Sequence, residues 1–144
     1  MKTQDEKPSW LQHFPIMFYT VVMGLGGLAL AYERLNLIFD ISGAVFEILR
    51  GAASLAYTLI CACYAAKLIK YPGACKAEFF HPVRVNFFAA FSIGTLLVAS
   101  LWRDFAPVYD ALFCVGVAFQ TFITLHVVSF WIKNNVQIAH SNPA

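Results

Sequence analysis

The chain has 144 residues, of which 60% are hydrophobic and 12% charged, with a formal net charge of +2 and a mean hydropathy of +0.66. Soluble domains carry about 25% charged and about 45–50% apolar residues, so this composition argues against a soluble bundle, whose helices need polar faces. No nucleophile elbow, phosphate loop, zinc spacing or nucleic-acid motif occurs, so neither an enzyme nor a metal, cofactor or nucleic-acid partner is expected.

The placement of charge sets the architecture. No Asp, Glu, Lys or Arg occurs between Pro8 and Tyr32, Gly51 and Ala66, Val85 and Trp102, or Ala111 and Ile132. A helix rising ~1.5 Å per residue needs roughly 20 residues to cross a ~30 Å hydrocarbon core. In chain order, residues 1–12 form a polar leader. A first helix covers about 15–32, with Pro15 in its first turn, where a missing N–H costs nothing. An outer link follows at 34–43. The second helix covers about 44–69, with Glu47 and Arg50 at one interface and Lys67 snorkelling at the other. Tyr71-Pro72-Gly73 ends it, and an inner link runs to His81. The third helix covers about 82–101, with Pro82 in its first turn, and the fourth about 108–132. Trp10, Tyr32, Tyr71, Trp102, Tyr109 and Trp131 lie near these ends as an aromatic belt. A cleaved signal peptide, suggested by Ala29-Leu30-Ala31, fits poorly with so long a first run and with Asp5 and Glu6 beside Lys2 and Lys7.

Basic residues divide unevenly. Lys2, Lys7, Lys67, Lys70, Lys76, Arg84 and Lys133 fall on one side, Arg34, Arg50 and Arg103 on the other. The positive side stays in the cytoplasm, so both termini are expected inside, in an integral protein of the cytoplasmic membrane.

A cue recurs. His13-Phe14-Pro15 opens the first helix, His81-Pro82 the third, and His140-Ser141-Asn142-Pro143 stands where a fifth would begin. The chain therefore reads as one all-α transmembrane domain over 1–144. Hairpin one covers about 13–70, hairpin two about 81–135 runs parallel to it, and a third begins at 140–144. The expectation is a truncated chain.

Thr20, Gly24, Gly27 and Ala31 share one face of the first helix, and Ser92, Thr95 and Ala99 one face of the third. Small faces let helices approach closely in lipid; they can equally border a pore. Neither helix carries an interior acid, as a cation pathway usually would. Glu47 and Arg50, one turn apart, are expected to pair, with Arg50 as the group that could attract anions at an outer vestibule. Gln120, Thr121, Thr124 and His126 place polar groups in the fourth helix. Haem ligation by His126 would need a second histidine at its depth, and His13, His81 and His140 all lie at inner ends. Cys61, Cys63, Cys75 and Cys114 form no C-x-x-C pair and read as small apolar fillers.

The run from His13 to Ala31, a Phe-Pro followed by the cluster Gly24, Gly26, Gly27, resembles the first helix of the tellurite-resistance and dicarboxylate transporter family, which includes the plant slow-type anion channels. His81-Pro82 and the closing His140 to Ala144 are similar to the starts of that family's third and fifth helices. The resemblance implies a ten-helix, five-hairpin bundle around a central pore, lined by odd-numbered helices and ringed by even-numbered ones, that passes small anions and assembles as a trimer. It makes the two small stripes pore-lining candidates. This chain supplies about two of the five hairpins, and the family's pore-blocking phenylalanine has no counterpart here. The leading expectation is thus the N-terminal portion of an anion channel or transporter for dicarboxylate, tellurite or chloride/nitrate-type ions in the lipid bilayer. The alternatives are a non-transporting membrane protein acting by helix packing, and a haem-bearing electron carrier.

Overall fold

The computed structural model describes residues 11, 13–81 and 84–133. Five α-helices account for most of them: α1 Tyr19–Phe39, α2 Ala44–Lys70, α3 Pro72–Phe79, α4 Phe88–Leu101 and α5 Ala106–Lys133. Single 3₁₀ turns at Ile16–Phe18 and Arg84–Phe87 lead into α1 and α4. Four segments are long and apolar enough to cross a membrane: Ile16–Phe39, Ala44–Lys70, Arg84–Leu101 and Ala106–Lys133. The chain is an all-α integral membrane protein.

Three boundaries differ from those the sequence suggests. The first helix does not stop near Tyr32 but continues to Phe39. Glu33 and Arg34 are compatible with helix, and no breaker intervenes before Asp40, which ends it in the left-handed conformation (φ 50°, ψ 43°) that Asp tolerates better than most residues. The inner link is not irregular, since it folds as α3, with Pro72 in its first turn. Pro15 lies just before the first turn in extended backbone (φ −84°, ψ 146°), and its carbonyl accepts the Phe18 N–H at 3.3 Å. Pro82 and the third His-Pro cue at 140–143 fall outside the described residues. At the second cue, His81 Nδ1 accepts the Arg84 backbone N–H at 3.4 Å.

α4 is the innermost span. Eight of its fourteen residues are buried, against two of 27 in α2 and two of 28 in α5. It packs against α1, α2 and α5, and α1 also packs against α2. Glycine makes these approaches possible. A Cβ on Gly26 would lie 3.2 Å from Leu97 Cβ, and one on Gly94 would lie 3.5 Å from Val22 Cγ1. The α1–α4 crossing is thus a reciprocal fit, each helix receiving the other's branched side chain at a glycine. On the far side of α4, Leu96 presses into Gly116 of α5, where an added Cβ would sit 2.8 Å from Leu96 Cγ.

Two apolar clusters fill the interior. Towards the α1–α2 link, Ala29, Ala53 and Leu101 pack with Leu25, Phe46 and Trp102. Towards α3, Ile16, Tyr19, Phe88, Ala90 and Ile123 pack with a larger aromatic set. Tyr19 meets Phe91 edge-on at 5.3 Å, and Phe91 meets Phe119 at 5.0 Å, the geometry aromatic rings prefer.

Candidate functional site

The two small-residue stripes have opposite environments. On α1, Thr20, Gly24, Gly27 and Ala31 are exposed, and a Cβ on Gly24 or Gly27 would meet nothing within 4 Å. The buried face of the same helix, Tyr19, Val22, Gly26 and Ala29, is turned towards the other helices. At about 100° per residue, the two faces lie on nearly opposite sides. Arg34 follows Ala31 by three residues, so the 4-3-4-3 spacing of the open stripe ends on a cation. Arg34 is exposed and has no ion-pair partner among the described residues. Thr20 donates its hydroxyl to Met17 O at 2.7 Å. The stripe supplies a smooth, narrow surface rather than a binding site.

On α4, Ser92, Thr95 and Ala99 are completely enclosed. The Ser92 hydroxyl lies against Ala89 O and the Gln120 side-chain oxygen of α5. Thr95 donates to Phe91 O at 2.8 Å and shares a 2.8 Å hydrogen bond with the Tyr57 hydroxyl of α2. Gln120 continues to Thr124 at 3.2 Å. These polar groups are satisfied between helices, as lipid requires. Thr121 donates to Val117 O within α5. His126 is stacked between Phe79 at 4.4 Å and Phe122 at 6.2 Å.

At the end of the bundle that bears α3, the sequence reading of Lys67 as a snorkelling residue is corrected. Lys67 is wholly buried. Its ammonium donates to Glu78 Oε1 of α3 at 2.9 Å and to Phe14 O at 2.7 Å. Tyr64 donates to Glu78 Oε2 at 3.2 Å, and Arg84 approaches Glu78 Oε1 at 3.9 Å. The reason is α3: once residues 72–79 turn helical, Glu78 comes back over the last turns of α2, where Lys67 would otherwise reach for the interface.

At the opposite end, Glu47 and Arg50 pair within one turn of α2. The Arg50 guanidinium lies over the Trp102 ring at 4.7 Å, and Trp102 Nε1 donates to Ser54 at 2.8 Å. Beside them a cleft of about 300 Å³ is bordered by Glu33, Arg34, Ser100, Arg103 and Tyr109. Arg103 donates to Glu33 Oε1 at 2.8 Å, while Glu33 Oε2 is buried without a partner among the described residues. The cleft's two arginines face one carboxylate, so its balance is positive. Spacing could have flagged Arg34, which falls in register with the stripe. Glu33–Arg103 joins α1 to the turn after α4, Lys67–Glu78 joins α2 to α3, and neither left a mark in the linear pattern.

Residues 13–144 match the family described as SLAC1, voltage-dependent anion channel. The chain is 32% identical over 119 residues to the tellurite resistance protein TehA homolog of Haemophilus influenzae, covering 81% of this chain and 36% of that protein. It is 28% identical over 140 residues to the guard cell S-type anion channel SLAC1 of Arabidopsis thaliana, covering 90% of this chain and 25% of the relative. The chain thus spans about a quarter to about a third of the length of the curated relatives it matches.

Proposed function

The chain belongs to the SLAC1 voltage-dependent anion channel family, and from that premise we propose that it forms the N-terminal part of a membrane pore for small anions, with the open face of α1 as its share of the wall. The observation that carries this reading is the exposed stripe Thr20, Gly24, Gly27 and Ala31, empty of side-chain bulk and of acid, ending at Arg34. A stripe without carboxylates does not repel an anion, and selectivity then rests on pore width and backbone dipoles rather than on a ring of charge. Arg34 at the mouth raises the local anion concentration. Ser92, Thr95 and Ala99 serve in this reading to hold α4 close behind α1, between α2 and α5, since their polar groups already have partners. Dicarboxylate, tellurite and chloride- or nitrate-type ions are the substrates proposed, and a homo-oligomer the assembly. The α3 end, with exposed Lys70, Lys76 and Arg84, faces the cytoplasm by the distribution of basic residues.

The test is anion efflux from vesicles holding a protein that supplies all five hairpins. Gly24→Leu and Gly27→Leu are expected to cut anion efflux at least tenfold while the protein stays folded, because each adds bulk only to the open face. Efflux that is strictly cation-selective, or indifferent to both substitutions, counts against the proposal. The enclosed hydroxyls of α4 favour a second reading, a packing subunit without transport. A reconstituted protein that assembles and passes no ion would support it.

A further inference from the structure

On the side of α1 and α4 away from the open stripe runs a groove of about 510 Å³ between α2 and α5. Tyr19 and Phe91 form its floor, Tyr57 and Tyr64 one wall, and Phe119 and Phe122 the other. Its surface is apolar because the tyrosine hydroxyls are engaged elsewhere. Tyr57 bonds Thr95, Tyr64 bonds Glu78, and Tyr19 donates to Cys61 Sγ at 3.4 Å. A second pocket of about 250 Å³ adjoins it, sharing Leu68, Cys75, Phe79 and Phe88 with it and adding Pro72 and Lys76. Lys76 is exposed and, like Lys70 nearby, has no ion-pair partner among the described residues.

We propose that this groove binds the acyl chain of an anionic phospholipid, whose phosphate pairs with Lys76. Two observations select that occupant. First, from Tyr57 to Leu68 the groove follows α2 for roughly 16 Å at ~1.5 Å per residue, about half of a ~30 Å hydrocarbon core, the depth of one leaflet. Second, the charge at the end of the groove is positive. Glu78, the nearby carboxylate, is already engaged by Lys67, Tyr64 and Arg84, so among the described residues a phosphate there meets an ammonium and no free acid. The groove borders two candidate membrane spans, which puts its opening in reach of lipid. This proposal is independent of what the pore passes.

Native mass spectrometry tests it. The purified protein is offered phosphatidylglycerol and phosphatidylcholine with the same acyl chains. About fivefold preferential retention of phosphatidylglycerol is expected from one lysine near a headgroup. Lys76→Gln, on an exposed side chain, should bring retention of the two lipids to parity. Ala65→Trp, which fills the groove from α2, should remove the bound lipid while helicity by circular dichroism is unchanged. Equal retention of both lipids by the parent protein overturns the proposal. So does undiminished phosphatidylglycerol in Ala65→Trp. A change of oligomer size rather than of bound lipid in that variant would assign the groove to a second copy of the chain instead.

Discussion

The Lys67 ammonium and the Glu78 carboxylate meet at 2.9 Å inside the protein, where they tie the end of α2 to α3, and through Phe14 O at 2.7 Å to the approach of α1. Three segments are fixed by two charges. A buried ion pair gains little net stability over an apolar pair of the same shape, but removal of one partner leaves a charge in a medium that cannot solvate it.

Lys67→Met should therefore cost about 3–5 kcal/mol, and the double variant Lys67→Met, Glu78→Met should regain most of that loss. Thermal unfolding in detergent, analysed as a double-mutant cycle, measures both. Simple additivity of the two single effects would show that the pair is not coupled.

Glycines on the two sides of the bundle should respond in opposite directions. Gly116→Val drives a side chain into Leu96, 2.8 Å from the added Cβ, and overpacking of this kind costs about 1–3 kcal/mol. Gly24→Ala meets open space and should leave stability unchanged or raise it by up to ~1 kcal/mol, the helix-propensity difference. Equal losses at both positions would contradict the assignment of faces.

The hydroxyl contacts of α4 should matter modestly. Tyr57→Phe removes the bond to Thr95, which keeps its bond to Phe91 O. Ser92→Ala removes the contact with Gln120, which keeps Thr124. Interhelical hydrogen bonds in lipid average about 0.6 kcal/mol with a maximum near ~1.7, and each variant should fall in that range by the same unfolding assay. Losses several times larger would mean that α4 is held mainly by these bonds rather than by its glycine contacts.

Arg34→Gln should slow anion efflux several-fold at low ionic strength and have little effect near 1 M salt, where the Debye length falls to ~3 Å. A salt-independent loss would point to steric blockage at the mouth in place of electrostatic attraction.

The sequence already contained the spans. Charge-free runs of the required length can hardly do anything but cross a bilayer, because every unsatisfied peptide group in hydrocarbon costs several kcal/mol and a helix satisfies its own. α2 and α5 accordingly begin and end within about two residues of their expected bounds. The family was legible too, in the glycine cluster that follows Phe14-Pro15. The far end of α1 was not. Glu33 and Arg34 suggested an interface, yet charge alone does not end a helix, and the backbone turned only at Asp40.

What only tertiary structure decided is the rotation of each helix and the meeting of distant charges. The stripes on α1 and α4 follow the same spacing rule, but one is open and the other sealed. In a soluble protein the polar face would have told them apart. In a membrane helix, lipid, neighbouring helix and uncharged pore wall all accept the same small residues, so the linear pattern is silent on which face looks inward. Lys67 shows the same limit. Alone at a helix end, a lysine reads as snorkelling; it is buried here only because α3 folds back and offers Glu78, a partner that no helical periodicity links to it.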